Sequence, residues 1–300
     1  MKKLLCIALM VSFNASAKYI EAHHPHVMQP FFSTCTIQND TTPPEYSDIV
    51  NPNGYYNAAL EKTGDELKRA LNTIISTGHI RLQYTDNRNL QTPDVWRALM
   101  ITDQDPYNSD NVILLYTGRS QLKSQRTGQG DLGRNNWNRE HVWPRAKGGW
   151  SRSSHADTDI HHIRPADEGM NNERGNFEFY EGGVATNESP NVGNKKDTGK
   201  QTFEPRDEVK GDIARMMFYM ATRYQGNDND GLRLTLSPGY NTADAQLGDL
   251  CTLLRWHQQD PVDEFERNRH EKIYNIQNNR NPYIDNPDWV DNIFYHSDCR

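Results

Sequence analysis

The stretch that decides the reading of this chain opens with Trp137-Asn138-Arg139-Glu140-His141-Val142-Trp143-Pro144. It resumes with Asp159-Ile160-His161-His162-Ile163-Arg164-Pro165-Ala166-Asp167 and continues through Glu168 to Phe179. Val142 and Trp143 have strand composition, and Pro144 ends that run. Ile160, His162 and Arg164 alternate with Asp159, His161 and Ile163, which predicts a second short strand finishing before Pro165. Residues 167–176 lack a β-branched run and predict a short helix with Asp167 as its N-cap. The local unit is strand, loop, strand, helix, set in an α+β chain with a mostly helical body around a small sheet.

Outward from that unit, Leu60, Leu67, Ala70, Leu71, Ile74 and Ile75 recur at helical spacing, predicting a helix from Gly64 to Ser76 that Gly78 stops. A second short helix, Val95 to Ile101, follows Thr92-Pro93. Val112 to Tyr116 reads as a buried strand, and the polar, Gly-rich residues 120–136 as a loop leading to the central unit. A further polar loop is expected from Glu181 to Thr202. Val209 to Tyr224 then carries an apolar face of Val209, Ile213, Met216, Met217, Met220 and Ala221 with charges around it, a helix whose Met stripe belongs in a core. Residues 244–257 and 262–278 predict two more helices parted by Asp260-Pro261, and the Pro-punctuated tail from Arg280 reads as extended.

The first seventeen residues have the order of an export signal. Lys2 and Lys3 precede an apolar run from Leu4 to Phe13, and Ala15-Ser16-Ala17 offers a cleavage site. Residues 18–53 are rich in Pro, Asn and Thr, with a His cluster at 23–26, and read as a loosely ordered leader. The remainder, 54–300, is long enough to bury a large core as one domain or two joined lobes. Without residues 1–17 the chain keeps 31 basic and 40 acidic side chains, a formal charge of −9. That excludes a protein that coats nucleic acid by general basicity, so any polyanion must meet a local patch. Arg134, Arg139, Arg145, Lys147, Arg152 and Arg164 supply one beside the central unit. Cys35, Cys251 and Cys299 remain, three thiols whose pairing the sequence leaves open, and no C-x-x-C spacing marks a metal site.

The central stretch gathers the groups that metal-assisted phosphodiester hydrolysis needs. Mg²⁺ takes oxygen ligands and keeps several waters, so one carboxylate and one amide carbonyl suffice, and Glu140 with Asn171 can supply them. His141 titrates near neutral pH, which suits a general base on the attacking water. Neighbours on a strand point to opposite faces, so Glu140 and His141 require a bulge or a strand end. H-E-x-x-H, G-x-S-x-G and the Walker phosphate loop are absent.

Glu140-His141-Val142-Trp143-Pro144, Asp159-x-His161-His162-x-x-Pro165 and Asn171-x-x-Arg174-x-Asn176-x-x-Phe179 together resemble the endonuclease I family of secreted and periplasmic nucleases, which carry a ββα-metal motif. Tyr116-Thr117-Gly118-Arg119, Glu204-Pro205 with 211–215, and Asn278-x-Arg280-Asn281-Pro282-Tyr283-x-Asp285 extend the likeness from about Tyr55 to Asp285. The resemblance implies a monomer that cuts DNA and RNA without regard to sugar, using Mg²⁺ (Ca²⁺ or Mn²⁺ able to substitute) and leaving 5′-phosphate ends. By matching positions it implies Glu140 and Asn171 as metal ligands and His141 as base. Asp159, His161, His162 and Asn176 would support them, and Arg139 and Lys147 would bind substrate. The family's Cys-rich insertion, which carries an arginine near the scissile phosphate, is replaced by 146–158, leaving Arg145, Arg164 and Arg174 as candidates. The competing readings are an exported zinc hydrolase or a noncatalytic metal-binding protein built on His155, Asp159, His161 and His162.

Overall fold

A computed structural model describes residues 49–86, 92–129, 133–226, 231–240 and 245–299. The export signal, the leader, the His cluster at 23–26 and Cys35 lie outside the described residues. Among those described, no helix is long and apolar enough to cross a membrane.

In chain order the helices and strands are α1 (Gly64–Ser76), α2 (Val95–Thr102), β1 (Asn111–Ile113), β2 (Ser120–Leu122), β3 (Trp137–His141), α3 (Arg145–Gly148), β4 (Ile163–Asp167) and α4 (Glu168–Arg174). There follow β5 (Glu178–Phe179), β6 (Val184–Ala185), β7 (Lys195–Asp197), β8 (Thr202–Glu204), α5 (Lys210–Arg223), β9 (Thr235–Leu236) and β10 (Gln246–Leu247). The chain closes with α6 (Leu250–Gln259), α7 (Glu264–Gln277), α8 (Pro282–Asp285) and α9 (Trp289–Phe294). The α+β expectation holds, with helices making up most of the regular secondary structure.

Helix α1 spans the predicted residues and buries Leu67, Leu71 and Ile75, the i, i+4 and i+8 positions of its apolar stripe. Asp94 caps α2 by accepting from the Arg97 amide at 2.9 Å. Helix α5 departs from the amphipathic expectation, because all fourteen of its residues are buried. It runs through the middle of the helical body, packed on α1 and α6, and distant partners neutralise its charges. Asp212 meets Arg164 at 3.1 Å, Arg215 meets Glu266 at 2.6 Å, and Lys210 meets Glu204 at 2.8 Å. Gly211 allows the close approach at its first turn, since a Cβ there would lie 1.9 Å from the Asp260 carbonyl oxygen.

Several stretches expected to be irregular form short strands. Residues 120–136 contain β2, which pairs antiparallel with β1. The expected strand at 112–116 is paired only to Ile113, although Leu114, Leu115 and Tyr116 stay buried. An apolar run reports burial, and pairing stops where the chain turns back on Arg119. The loop expected at 181–202 supplies β6 and β7 to a four-stranded sheet ordered β5-β8-β7-β6. The tail beyond Arg280 forms α8 and α9 rather than an extended segment; Asn281 caps α8 and Pro282 opens it. Cys251 and Cys299 are joined, fastening the end of the chain to α6.

β3 and β4 pair antiparallel in regular register, from Trp137 opposite Asp167 to His141 opposite Ile163. The second strand therefore starts later than predicted and contains Pro165. The Pro165 carbonyl accepts from Leu115, on the edge away from β3. A residue's N and O face the same edge of a strand, so the missing N–H costs the β3 ladder nothing. Trp137, Ile163, Ile160, Trp96, Leu99 and Ile273 form the apolar floor beneath this hairpin, each side chain contributing about 1.5–3 kcal/mol by burial. α4 begins at the residue after β4 and lies against β3. Asp167 precedes it without a side-chain cap; its carboxylate instead receives Thr117 at 2.7 Å and pairs with Arg119.

Candidate active site

Residues 137–174 form two antiparallel strands and a helix that together carry the predicted groups. Glu140 and His141 occupy opposite faces of β3, as the strand period requires, and His141 is the strand's last residue. No bulge intervenes.

On one face, Glu140 is buried, and its Oε1 accepts from the Tyr116 hydroxyl at 2.6 Å and from Arg174 at 2.9 Å. Burial lifts its carboxyl above the usual range, against the pull of Arg174 and Tyr116. Both donors take the same oxygen, which leaves Oε2 for another cation. Asn171, on α4, lies over the same strand. Its Nδ2 donates to Asn138 Oδ1 at 2.7 Å and to the Arg139 carbonyl at 3.4 Å. A backbone carbonyl can only accept, so the amide orientation is fixed and Asn171 Oδ1 is turned away as a free acceptor. A carboxylate oxygen and an amide oxygen are thus left open on the two residues predicted as ligands, a donor set that fits a hard divalent cation.

On the other face, His141 Nε2 lies 3.1 Å from the Asp157 carbonyl oxygen. That oxygen can only accept, so Nε2 carries the proton and Nδ1 keeps its lone pair. Burial, with the nearby His162, Arg145 and Arg139, holds the imidazole pKa well below its usual value, so the ring is neutral at physiological pH. Tyr84 stacks on His141 at 5.9 Å between ring centres, and Trp150 stands 6.4 Å away. Arg145, at the start of α3, pairs with the buried Asp157 carboxylate while 31% of its side chain stays exposed.

The three candidate arginines separate clearly. Arg164 is buried between Asp103 at 2.6 Å and Asp212 at 3.1 Å, and Arg174 is buried against Glu140 and the His141 and Val142 carbonyls. Both guanidiniums are enclosed by their partners. Arg139 lies 3.5 Å over the Tyr84 ring and 4.1 Å over Trp96, and burial lowers its pKa to about 10. Lys147 is engaged by Glu178 at 2.9 Å. Asn176, expected to support the site, is exposed in the turn after α4.

Asp159, His161 and His162 are buried and do not converge on an ion. Asp159 accepts from Tyr219 at 2.8 Å, Tyr224 at 2.7 Å and Gln277 at 2.7 Å. Burial disfavours its charge, but His79, His161, His162 and Gln277 outweigh that and hold its pKa below the ordinary range. His161 Nε2 donates to the Asn279 carbonyl at 3.2 Å and His162 Nε2 to the Ala156 carbonyl at 2.8 Å. The zinc cluster weighed from sequence is therefore not assembled. Among the described residues, the His, Cys, Asp and Glu side chains that do converge are His270, Glu271 and Asp285. There the Arg280 guanidinium already pairs with both carboxylates.

Tyr84, Tyr116, Asn138 and Asp157 were not legible as site residues. Asp157 acts through its carbonyl as well as its carboxylate, and a backbone role leaves no mark on residue type. Tyr84 comes from a segment more than fifty residues upstream of the hairpin.

Comparison with known proteins gives the family. The family model for endonuclease I matches residues 63–288. The chain is 46% identical over 299 residues to an extracellular ribonuclease of Bacillus amyloliquefaciens, covering 97% of both chains. It is 48% identical over 243 residues to an extracellular ribonuclease of Bacillus subtilis (strain 168), covering 80% of this chain and 78% of the relative. An extracellular deoxyribonuclease of Aeromonas hydrophila is 32% identical over 132 residues, 42% of this chain and 48% of its own. With that breadth of match, the chain belongs to the endonuclease I family and is a nuclease.

Proposed function

We propose that this nuclease is exported and hydrolyses phosphodiester bonds of RNA and DNA as a monomer, through a ββα-metal site on residues 137–174 within a catalytic domain spanning 54–300. The observation that carries the reading is the fixed tautomer of His141, whose Nδ1 lone pair is left free by the Nε2 bond to Asp157. Nδ1 takes the proton from the attacking water, and the Asp157 carbonyl holds the ring while the imidazolium forms. Arg145 offers a partly exposed side chain beside His141 for the charge that develops on the phosphate. Tyr84 and Trp150 flank the imidazole and restrict its rotation.

Glu140 Oε2 and Asn171 Oδ1 would hold Mg²⁺, which would neutralise phosphate charge and stabilise the leaving 3′ oxygen. Tyr116 and Arg174 orient the Glu140 carboxylate, and Asn138 orients the Asn171 amide. Export fits the extracellular relatives, and RNA as well as DNA fits the names those relatives carry.

The test incubates the purified protein with ribosomal RNA and with plasmid, with Mg²⁺ or with EDTA. Both polymers should be cut to fragments with 5′-phosphate ends, EDTA should stop the reaction, and His141→Ala should lose most turnover while staying folded. Undiminished cleavage by that variant would remove His141 as the base.

A further inference from the structure

Most cations among the described residues are held by acids, and a few of the exceptions lie on the loop after α3 and on the segment leading into β9. Arg81, Arg152 and Arg233 are among the described cations that pair with no carboxylate. Arg81 donates to the Arg152 carbonyl at 2.9 Å and the Ser154 carbonyl at 3.3 Å, pinning the loop that follows α3. Arg152 and Arg233 are exposed. Unpaired cations in a chain of net negative charge make a local site for a polyanion.

Trp150 adjoins both the His141 imidazole and the cavity that Arg233 lines. Its ring packs 6.4 Å from His141 and 5.7 Å from His162. It also lines a cavity of about 560 Å³, with Gly149, Ser151, Leu232 and Arg233. Gly148 sets the indole in place, since a Cβ on that residue would lie 1.8 Å from the ring. The cavity falls in the size range of small-ligand sites. Its aromatic wall, hydroxyl and arginine are the groups that receive an unpaired base and its phosphate.

We propose that this cavity is a nucleotide subsite: the nucleoside next to the scissile phosphate enters it against Trp150, and Arg233 and Arg152 contact the following phosphate. The inference rests on the nuclease reading of the His141 site. A base can enter only when it leaves its stack, so the subsite favours unpaired strands over duplex.

Two measurements test it, one of them free of catalysis. Binding of a fluorescein-labelled single-stranded oligonucleotide is followed by anisotropy in EDTA across a salt series, for wild type, Arg233→Ala, Arg152→Ala and Arg267→Ala. Arg267, an exposed cation on α7, controls for net charge. Arg233→Ala and Arg152→Ala should each weaken binding about tenfold and flatten the slope of log K against log salt by about 0.7. Arg267→Ala should do neither. With Mg²⁺, both subsite variants should raise KM for the oligonucleotide at unchanged kcat, and should hydrolyse bis(p-nitrophenyl) phosphate, which has no base and no second phosphate, like wild type. An abasic nucleotide at the position next to the cut should raise KM for wild type. Equal effects of Arg267→Ala, an unchanged salt slope, or a parallel loss on bis(p-nitrophenyl) phosphate would overturn the subsite. Arg233-dependent binding by a protein that cuts neither RNA nor DNA would sink the nuclease mechanism and leave the subsite standing. Cleavage with wild-type binding in all variants would do the reverse.

Discussion

His141 and Asp157 are joined through the backbone: the imidazole Nε2 lies 3.1 Å from the Asp157 carbonyl oxygen, while the Asp157 carboxylate pairs with Arg145. One residue thereby sets the proton position of the imidazole and the place of Arg145. Because the carbonyl does the orienting, Asp157→Asn should keep the His141 tautomer but loosen Arg145. We expect kcat to fall less in Asp157→Asn than in His141→Ala, whose loss should be about 10²–10⁴-fold. Equal losses in single-turnover assays would contradict the division of roles.

Arg145 and Arg174 should respond differently to removal. Arg174 is enclosed and neutralises the buried Glu140, so Arg174→Met should cost about 3–5 kcal/mol of stability by leaving a buried carboxylate unpaired. Arg145→Lys keeps a cation beside Asp157 but loses the planar guanidinium. Its melting temperature should stay near wild type while kcat falls. Denaturant titration and steady-state kinetics on the two variants check both halves.

Asn171→Ala should weaken activation by metal more than folding. The amide lies between strand and helix, with Nδ2 on Asn138 and the Arg139 carbonyl, and its free oxygen is the group assigned to the cation. The Mg²⁺ concentration for half-maximal activity should rise by tenfold or more, whereas a purely structural role predicts an unchanged Mg²⁺ midpoint at reduced protein stability.

Acid should destabilise the fold through imidazoles buried in neutral form. Burial lowers the pKa of His79 and His161 to about 3 and of His257 to about 4. Between the ordinary histidine value of ~6.5 and those depressed values, the unfolded chain binds more protons than the folded one. Stability therefore rises with pH across that window and is lost as pH falls through it, by about 2 kcal/mol per imidazole at pH 5. Thermal melts from pH 7.5 to 5 should show a falling Tm, and His257→Gln should flatten the slope.

The Cys251–Cys299 bridge closes a separation of 48 residues. Cys251→Ser with Cys299→Ser should lower stability by roughly 2–4 kcal/mol, equivalent to roughly 2–4 °C in Tm per kcal/mol. Calorimetry with and without reductant measures it; a Tm indifferent to both would show that the C-terminal helices hold without the bridge.

Where periodicity alone specifies an element, the sequence sufficed. α1 matches its predicted limits because Leu67, Leu71 and Ile75 repeat at one face. α4 is legible from the residues between Asp167 and Gly175, and the family motif singles out Glu140, His141 and Asn171. The two-residue strands β5 and β6 were not legible, since a pairing that short has no period and exists only because β7 and β8 lie alongside.

Sequence by itself determined the helical periodicities, the strand, loop, strand, helix order of the central unit and the residue types gathered there. Tertiary structure decided what each charge was for. Arg164 and Arg174 resemble Arg145 in the sequence, yet two are enclosed by acids from β3, α5 and the residue after α2, and one stays partly exposed. The physical reason is that a guanidinium's role depends on whether a carboxylate meets it in a desolvated place. Such a meeting joins residues 34 to 61 positions apart here, a distance over which no local pattern carries information.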